Sequence, residues 1–272
     1  VRQLLALLLA LTLNTLSVQA AERIVSLAPF LTDMALQLGA GARLVGVLDD
    51  GQLPAELSDR QTVGSYQTLS AERIVSVQPD LILAWTSGNP PDLLERLRGW
   101  GIRVEQFDPQ RLDDIASMTL QLGELLDQPA EAQALEADFR AQLDRLRAPP
   151  SSTRPKVFLQ LWDNPLYTAA GDQLLSDALT LCGADNVFAD LAGLAPQVGR
   201  EGVLAANPDV IIALADQGVT AEAWLDDWRR FPKLAAVQHN RLHVLDSDLL
   251  VRPTPAIIGG VEQLCGLVRL IP

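Results

Sequence analysis

Few side chains in this chain could do covalent or metal chemistry, and their spacing argues against both. The 272 residues include two Cys, Cys182 and Cys265, and two His, His239 and His243, which is too few for a Cys/His zinc site. The two His stand four apart, but HNRLHVLD reads as a turn entering a strand, so they do not share a face as they would on a helix. No G-x-S-x-G elbow occurs, and no nucleophile stands beside a plausible base. These residue types therefore argue against an exported hydrolase and against a metal-ion receptor, and no catalytic residue or metal site is expected.

A net charge of -13, from 34 Asp and Glu against 21 Lys and Arg, disfavours nucleic acid and anionic membranes as partners. With 48% of its residues apolar, the chain can offset its ordering entropy by burial. Its length suits two lobes, each large enough for a core of its own.

Residues 1–20, VRQLLALLLALTLNTLSVQA, read as a secretory signal peptide. Arg2 stands near the start, an apolar run extends from Leu4 to Leu16, and Val18-Gln19-Ala20 precedes the expected cleavage. A transmembrane anchor would need about 20 apolar residues, and Asn14 and Thr15 interrupt this run. No Cys follows Ala20, so the mature chain is expected without a lipid anchor or membrane insertion, in an exported and oxidising compartment. There Cys182 and Cys265 form an even pair on two helix-like stretches, LLSDALTLCGADN and IIGGVEQLCGLV. They read as a disulfide joining those helices, with two separate buried thiols as the alternative.

Short apolar runs that alternate with amphipathic stretches must position any site: RIVSLAP, LTDMALQLGAG, RLVGVLDD, LILAW, LLERLRGWG, IRVEQFD. This alternation predicts a parallel α/β sheet. From Leu112 to about Ala148 it gives way to one long helical run, with Pro129 as a kink or restart. The breaker cluster Pro149-Pro150-Ser151-Ser152 ends that run, after which KVFLQLW, LLSDALTLCG, VLAAN, DVIIAL and RLHVLD resume the pattern. The expected fold is α/β: two Rossmann-like lobes with parallel sheets, residues 21–111 and 149–272, joined by a single long helix over 112–148.

The lobes carry an internal echo. Residues 70–84, SAERIVSVQPDLILA, overlay residues 199–213, GREGVLAANPDVIIA. Both read as Glu, a short apolar helix, Pro-Asp and a buried strand, because the residue before Pro is pushed out of the helical region. Glu72 and Glu201 thus occupy equivalent places on the two lobes.

RIVSLAPFLTDMALQLGAGARLVGV, LSAERIVSVQPDLILAW with Ser87-Gly88-Asn89, KVFLQLWDNPLYTAAG, LCGADNVFAD, PQVGREGVLAANPDVII and SDLLVRPTPAIIGGVEQLC span essentially the whole mature chain. Together they resemble the periplasmic substrate-binding proteins of ABC importers with a rigid helix between two lobes (class III), and within them the cobalamin-binding members. The resemblance implies a periplasmic receptor that captures cobalamin, or a related corrinoid, between its lobes and delivers it to an importer. It implies a monomer that closes only modestly on its ligand. Tyr66, Trp85, Trp162 and Tyr167, in loops after predicted strands and two in each half, would bury the flat macrocycle. Asp248 and Arg252 would meet the ligand's amides. Glu72 and Glu201 would dock on arginines of the two permease subunits, since a two-fold partner needs the same group presented twice. Trp100, Trp224 and Trp228 lie on helical stretches and read as packing residues.

Two aromatics of the resembled pattern are missing: Ala195 stands in place of a Trp, and the Asp49-Asp50-Gly51 turn in place of a Tyr. A receptor for haem or a ferric siderophore is the alternative in the same fold. Siderophores call for clustered cations, whereas this chain has only Lys156 and Lys233 as lysines; haem would need an axial ligand such as Tyr66 or Tyr167.

Overall fold

A computed structural model describes residues 21–51, 53–215 and 221–269; the expected leader, residues 1–20, lies outside the described residues. The first lobe runs β1 (Ile24–Ser26), α1 (Pro29–Gln37), β2 (Leu44–Val47), β3 (Gln61–Thr62), α2 (Ala71–Ser76), β4 (Leu81–Trp85), α3 (Pro91–Gly99) and β5 (Arg103–Phe107). Its strands pair in parallel in the order β3-β2-β1-β4-β5. Alternate residues of a strand face opposite sides of the sheet. Accordingly Ile24, Leu81 and Leu83 join the core under α1, while Val25, Ile82 and Ala84 join the core under α2 and α3. Both faces are covered, so the strands read as continuous apolar runs.

The stretch expected as one long helix divides at Pro129 into α4 (Leu112–Leu125) and α5 (Pro129–Leu146). Pro129 acts as a restart rather than a kink: the chain turns through Asp127 at φ 53° and runs back along α4. The reversal brings Arg140 Nη1 within 3.0 Å of Asp113 Oδ1. Gly123 permits the close approach, since a Cβ there would lie 2.2 Å from that of Ala132. The element joining the lobes is therefore a helical hairpin. Each of its helices feeds both cores, with Met118, Leu122 and Ala132 in the first lobe and Leu112, Ile115, Ala116, Phe139 and Leu143 in the second.

The second lobe runs β6 (Lys156–Gln160), α6 (Leu174–Cys182), β7 (Asp185–Asn186), α7 (Arg200–Ala206), β8 (Val210–Ala215), α8 (Ala221–Arg229), α9 (Ala235–Gln238), β9 (Leu242–Asp246) and α10 (Ile258–Arg269). Its parallel strands are ordered β7-β6-β8-β9. Cys182 at the end of α6 and Cys265 in α10 form the disulfide, with their Cα atoms 4.7 Å apart. His239 follows α9 and His243 lies in β9.

The internal echo has a structural basis. In the first lobe Asp80 donates its N–H to the Arg23 carbonyl (3.0 Å) and accepts the Arg23 N–H on its carboxylate (3.1 Å). In the second, Asp209 makes the same pair of bonds with Lys156, both 2.8 Å. Each Pro-Asp thus ties the start of one strand to the start of its central neighbour, and Glu72 and Glu201 both fall at the second residue of the preceding helix.

Candidate ligand-binding cleft

A cavity of about 430 Å³ opens between the lobes, bordered by loops that follow strands on both sides. In parallel α/β sheets the carboxyl ends of the strands are where ligands bind. Pro29 and Phe30 follow β1, Asp50 follows β2, Trp85 ends β4 and Pro109 follows β5. From the second lobe come Leu161 after β6 and the segment from Asp248 to Pro253 after β9, with Leu174 and Leu175 at the start of α6.

Trp85 is held in place by several bonds. Its indole N–H donates to Asp108 Oδ1 (2.9 Å) and its backbone N–H to Asn89 Oδ1 (2.7 Å). Asn89, itself only 3% exposed, donates in turn to the Leu27 carbonyl. Ser87 donates to the second Asp108 oxygen (2.8 Å). Gly88 lies against the ring, where an added Cβ would sit 1.9 Å from Trp85 Cε3. Phe30 and Tyr66 meet Trp85 edge-on at centroid distances of 6.0 and 6.4 Å, a favourable geometry for aromatic pairs.

The polar side of the cleft centres on Arg252. Its Nη1 donates to Asp33 Oδ2 (3.2 Å) and its Nη2 to Asp50 Oδ2 (2.9 Å), both on the opposite lobe. Burial pulls the guanidinium down, but Asp33, Asp50 and Asp248 outweigh it and hold Arg252 above its ordinary value. Burial raises the Asp33 carboxyl in spite of Arg252. The two directions agree physically: Arg252 answers three carboxylates, whereas Asp33 has one cation to offset its desolvation and the nearby Asp50 charge. Tyr66 is raised by burial and by Asp50, against the pull of Arg252.

Of the residues singled out in the sequence, the structure gathers Tyr66, Trp85, Asp248 and Arg252 around this cavity. Trp162 and Tyr167 are not among its lining residues. They pair in a small hairpin that follows Leu161, and the Trp162 ring, with the residue 53% exposed, packs edge-on to Trp224 of α8 at 5.8 Å. The loop after β6 closes into this hairpin, and from the segment between β6 and α6 it is Leu161, Ala169 and Gln173 that line the cavity.

Sequence reasoning missed Phe30, Asp33 and the part taken by Asp50. Phe30 comes four residues after β1, as Tyr66 comes four residues after β3, and the rule that looks for aromatics behind strands would have found it. Asp33 and Asp50 become partners of Arg252 only through the fold. Both positions noted as lacking an aromatic, Asp50 and Ala195, line the cavity.

Glu72 and Glu201 are exposed and lie away from the cavity. The Glu72 carboxylate is held below its ordinary value by a backbone hydrogen bond and by the Ser70 hydroxyl, which donates to it at 2.8 Å. Among the described residues no helix is long and apolar enough to cross a membrane, and no group of His, Cys, Asp and Glu could hold a metal ion.

Two parallel-sheet lobes with a cleft at their strand ends define a two-lobed substrate-binding protein. Residues 24–249 match the sequence profile of the periplasmic binding proteins, and the chain belongs to that family. The Vitamin B12-binding protein of Vibrio parahaemolyticus is 34% identical over 256 residues, covering 92% of this chain and 90% of that protein. The crystal structure of the periplasmic vitamin B12 binding protein BtuF of Vibrio cholerae is similar with a TM-score of 0.79 at 36% identity, covering 92% of this chain and 97% of that one. A periplasmic heme binding protein from Pseudomonas aeruginosa gives a TM-score of 0.77 at 27% identity, covering 92% and 94%.

Proposed function

We propose that the protein is a periplasmic receptor that holds cobalamin, or a related corrinoid, in the interlobe cleft and delivers it to an inner-membrane ABC importer. The observation that carries this reading is the cluster of Phe30, Tyr66 and Trp85 beside Asp50, Asp248 and Arg252 in one cavity. It offers aromatic faces for a macrocycle and polar groups for its amide rim. The named relatives, alike over nine-tenths of the chain, support the same ligand. Trp162 and Tyr167, next to the lining residue Leu161, serve as rim contacts when the lobes approach one another. The protein works as a monomer and catalyses no reaction, and cobalamin is its cargo rather than a cofactor.

In this reading residues 21–111 and 149–272 are the moving lobes, and residues 112–148 are the spine that limits closure. A hairpin whose two helices each enter both cores resists a wide hinge, so closure is small. Glu72 and Glu201, at matching helix positions on the two lobes, dock on the permease dimer.

Haem is less well suited to the cleft. Tyr66 is the candidate axial ligand, but burial and Asp50 raise its pKa and so disfavour the phenolate that would bind iron. To test the main reading, the purified protein would be mixed with cyanocobalamin and desalted. One corrin chromophore retained per chain supports it, and none retained refutes it.

A further inference from the structure

We propose that Asp50, with Asp33 and Asp248, makes the cleft a charge selector that accepts corrinoid carboxamides and rejects the corresponding carboxylates. This rests on the corrinoid reading above.

An arginine in an apolar cleft ordinarily captures carboxylates through its planar fork of donors. Here Nη1 and Nη2 of Arg252 already donate to Asp33 and Asp50 across the lobe boundary. The charged groups among the described lining residues are Asp50, Asp248 and Arg252, and Asp33 adds a third carboxylate against the one guanidinium. The local charge is therefore negative, at positions where Arg252 is only 25% and Asp50 15% exposed by side chain, so water screens it weakly. Ionised carboxylates only accept hydrogen bonds. They suit the N–H groups of a primary amide and repel a carboxylate placed in the same position.

A corrin rim carries several primary amides, and hydrolysis of one gives a monocarboxylic acid of nearly the same shape with one added negative charge. The pair is a clean probe, because size and apolar area are shared. The same device would discriminate against propionate-bearing tetrapyrroles.

The experiment is calorimetric titration of the wild-type protein and of Asp50→Asn with cyanocobalamin and with its monocarboxylic acids, reading the ratio of the two Kd values on each protein. The wild type is expected to bind the amide form about tenfold more tightly, the effect of a like charge near a carboxylate in a partly buried site. Asp50→Asn is expected to bring the ratio down to about threefold or less. Asp248→Asn, which removes an exposed carboxylate of the same cavity, should lower the ratio in the same direction, and it decides the matter even where Asp50→Asn does not fold. A wild-type ratio near one, or a ratio unmoved by both Asp50→Asn and Asp248→Asn, overturns the selector alone. Failure to bind either compound overturns the corrinoid reading, and the selector with it.

Discussion

Asp50 on one lobe and Arg252 on the other meet at 2.9 Å across the cleft, with Asp33 3.2 Å from the same guanidinium. The bridge joins the two halves of the binding cavity at its polar side. Removing the cation in Arg252→Ala leaves the Asp33 and Asp50 carboxylates uncompensated, at side chains only 24% and 15% exposed. Loss of a charged hydrogen-bonding partner there is expected to cost about 1–3 kcal/mol of folding stability, read by urea denaturation. Unchanged stability would show that the bridge contributes nothing net.

Asp33 gives a pH signature of definite sign. Its carboxyl is raised by burial despite Arg252, so between the unfolded value near ~3.9 and the raised folded value the native state binds more protons than the unfolded chain. Stability from this group therefore falls as pH rises through that window and does not return above it. Relative to Asp33→Asn, the wild type is expected to gain stability as the solution is acidified through the window. Denaturation curves at stepped pH measure the difference, and a flat or opposite trend contradicts the assignment.

Gly88 and Asp108 hold Trp85 in its place. Gly88→Ala puts a Cβ into the ring's position, so the indole must move, and Asp108→Ala removes its acceptor. Each is expected to weaken cyanocobalamin binding by about tenfold, the cost of misplacing one aromatic face. Asp108→Asn, which keeps an acceptor oxygen, should recover most of that loss. Equal weakening by the Ala and Asn variants would mean that the indole hydrogen bond is not what matters.

The disulfide joins α6 to α10, and α6 begins with Leu174 and Leu175, which line the cavity. Replacing Cys182 and Cys265 together by Ser is expected to lower stability by about 2–4 kcal/mol. Thermal melting of the wild type with a reductant should shift in the same direction. A double variant as stable as the wild type would count against a structural role.

Glu72 and Glu201 lie outside the cavity, so converting both to Ala should leave corrinoid affinity as it is while abolishing stimulation of the importer's ATPase in reconstituted membranes. Opposite charges guide encounter and orientation more than they add affinity, so the loss should show chiefly in coupling to the transporter. Normal stimulation by the double variant would sink the docking assignment.

Much of this fold was legible because burial on both faces leaves a plain mark. LILAW and VIIALA are continuous apolar runs that became β4 and β8, and the repeated Pro-Asp marked equivalent places in the two lobes. The reversal after α4 was harder to read. An apolar period and a Pro at position 129 suit a kinked helix or a restart, and the close packing of Gly123 on Ala132 decides between them. The two-residue strands β3 and β7 carry no periodicity of their own and exist because β2 and β6 offer an edge. In the cleft, Tyr66 and Trp85, expected after strands, lie on the cavity wall, whereas Trp162 and Tyr167 pair in a local hairpin and Trp162 packs on Trp224. The partnership of Arg252 with Asp33 and Asp50 spans more than two hundred residues of sequence, a distance at which no local pattern operates.

In the proposed function the interlobe cleft is built for a corrinoid. Calorimetric titration of the ligand-free protein with cyanocobalamin, with haemin run in parallel, tests it most directly. One-to-one, sub-micromolar binding of cyanocobalamin with much weaker or no binding of haemin is the predicted result. Saturable binding of haemin without binding of cyanocobalamin would contradict it.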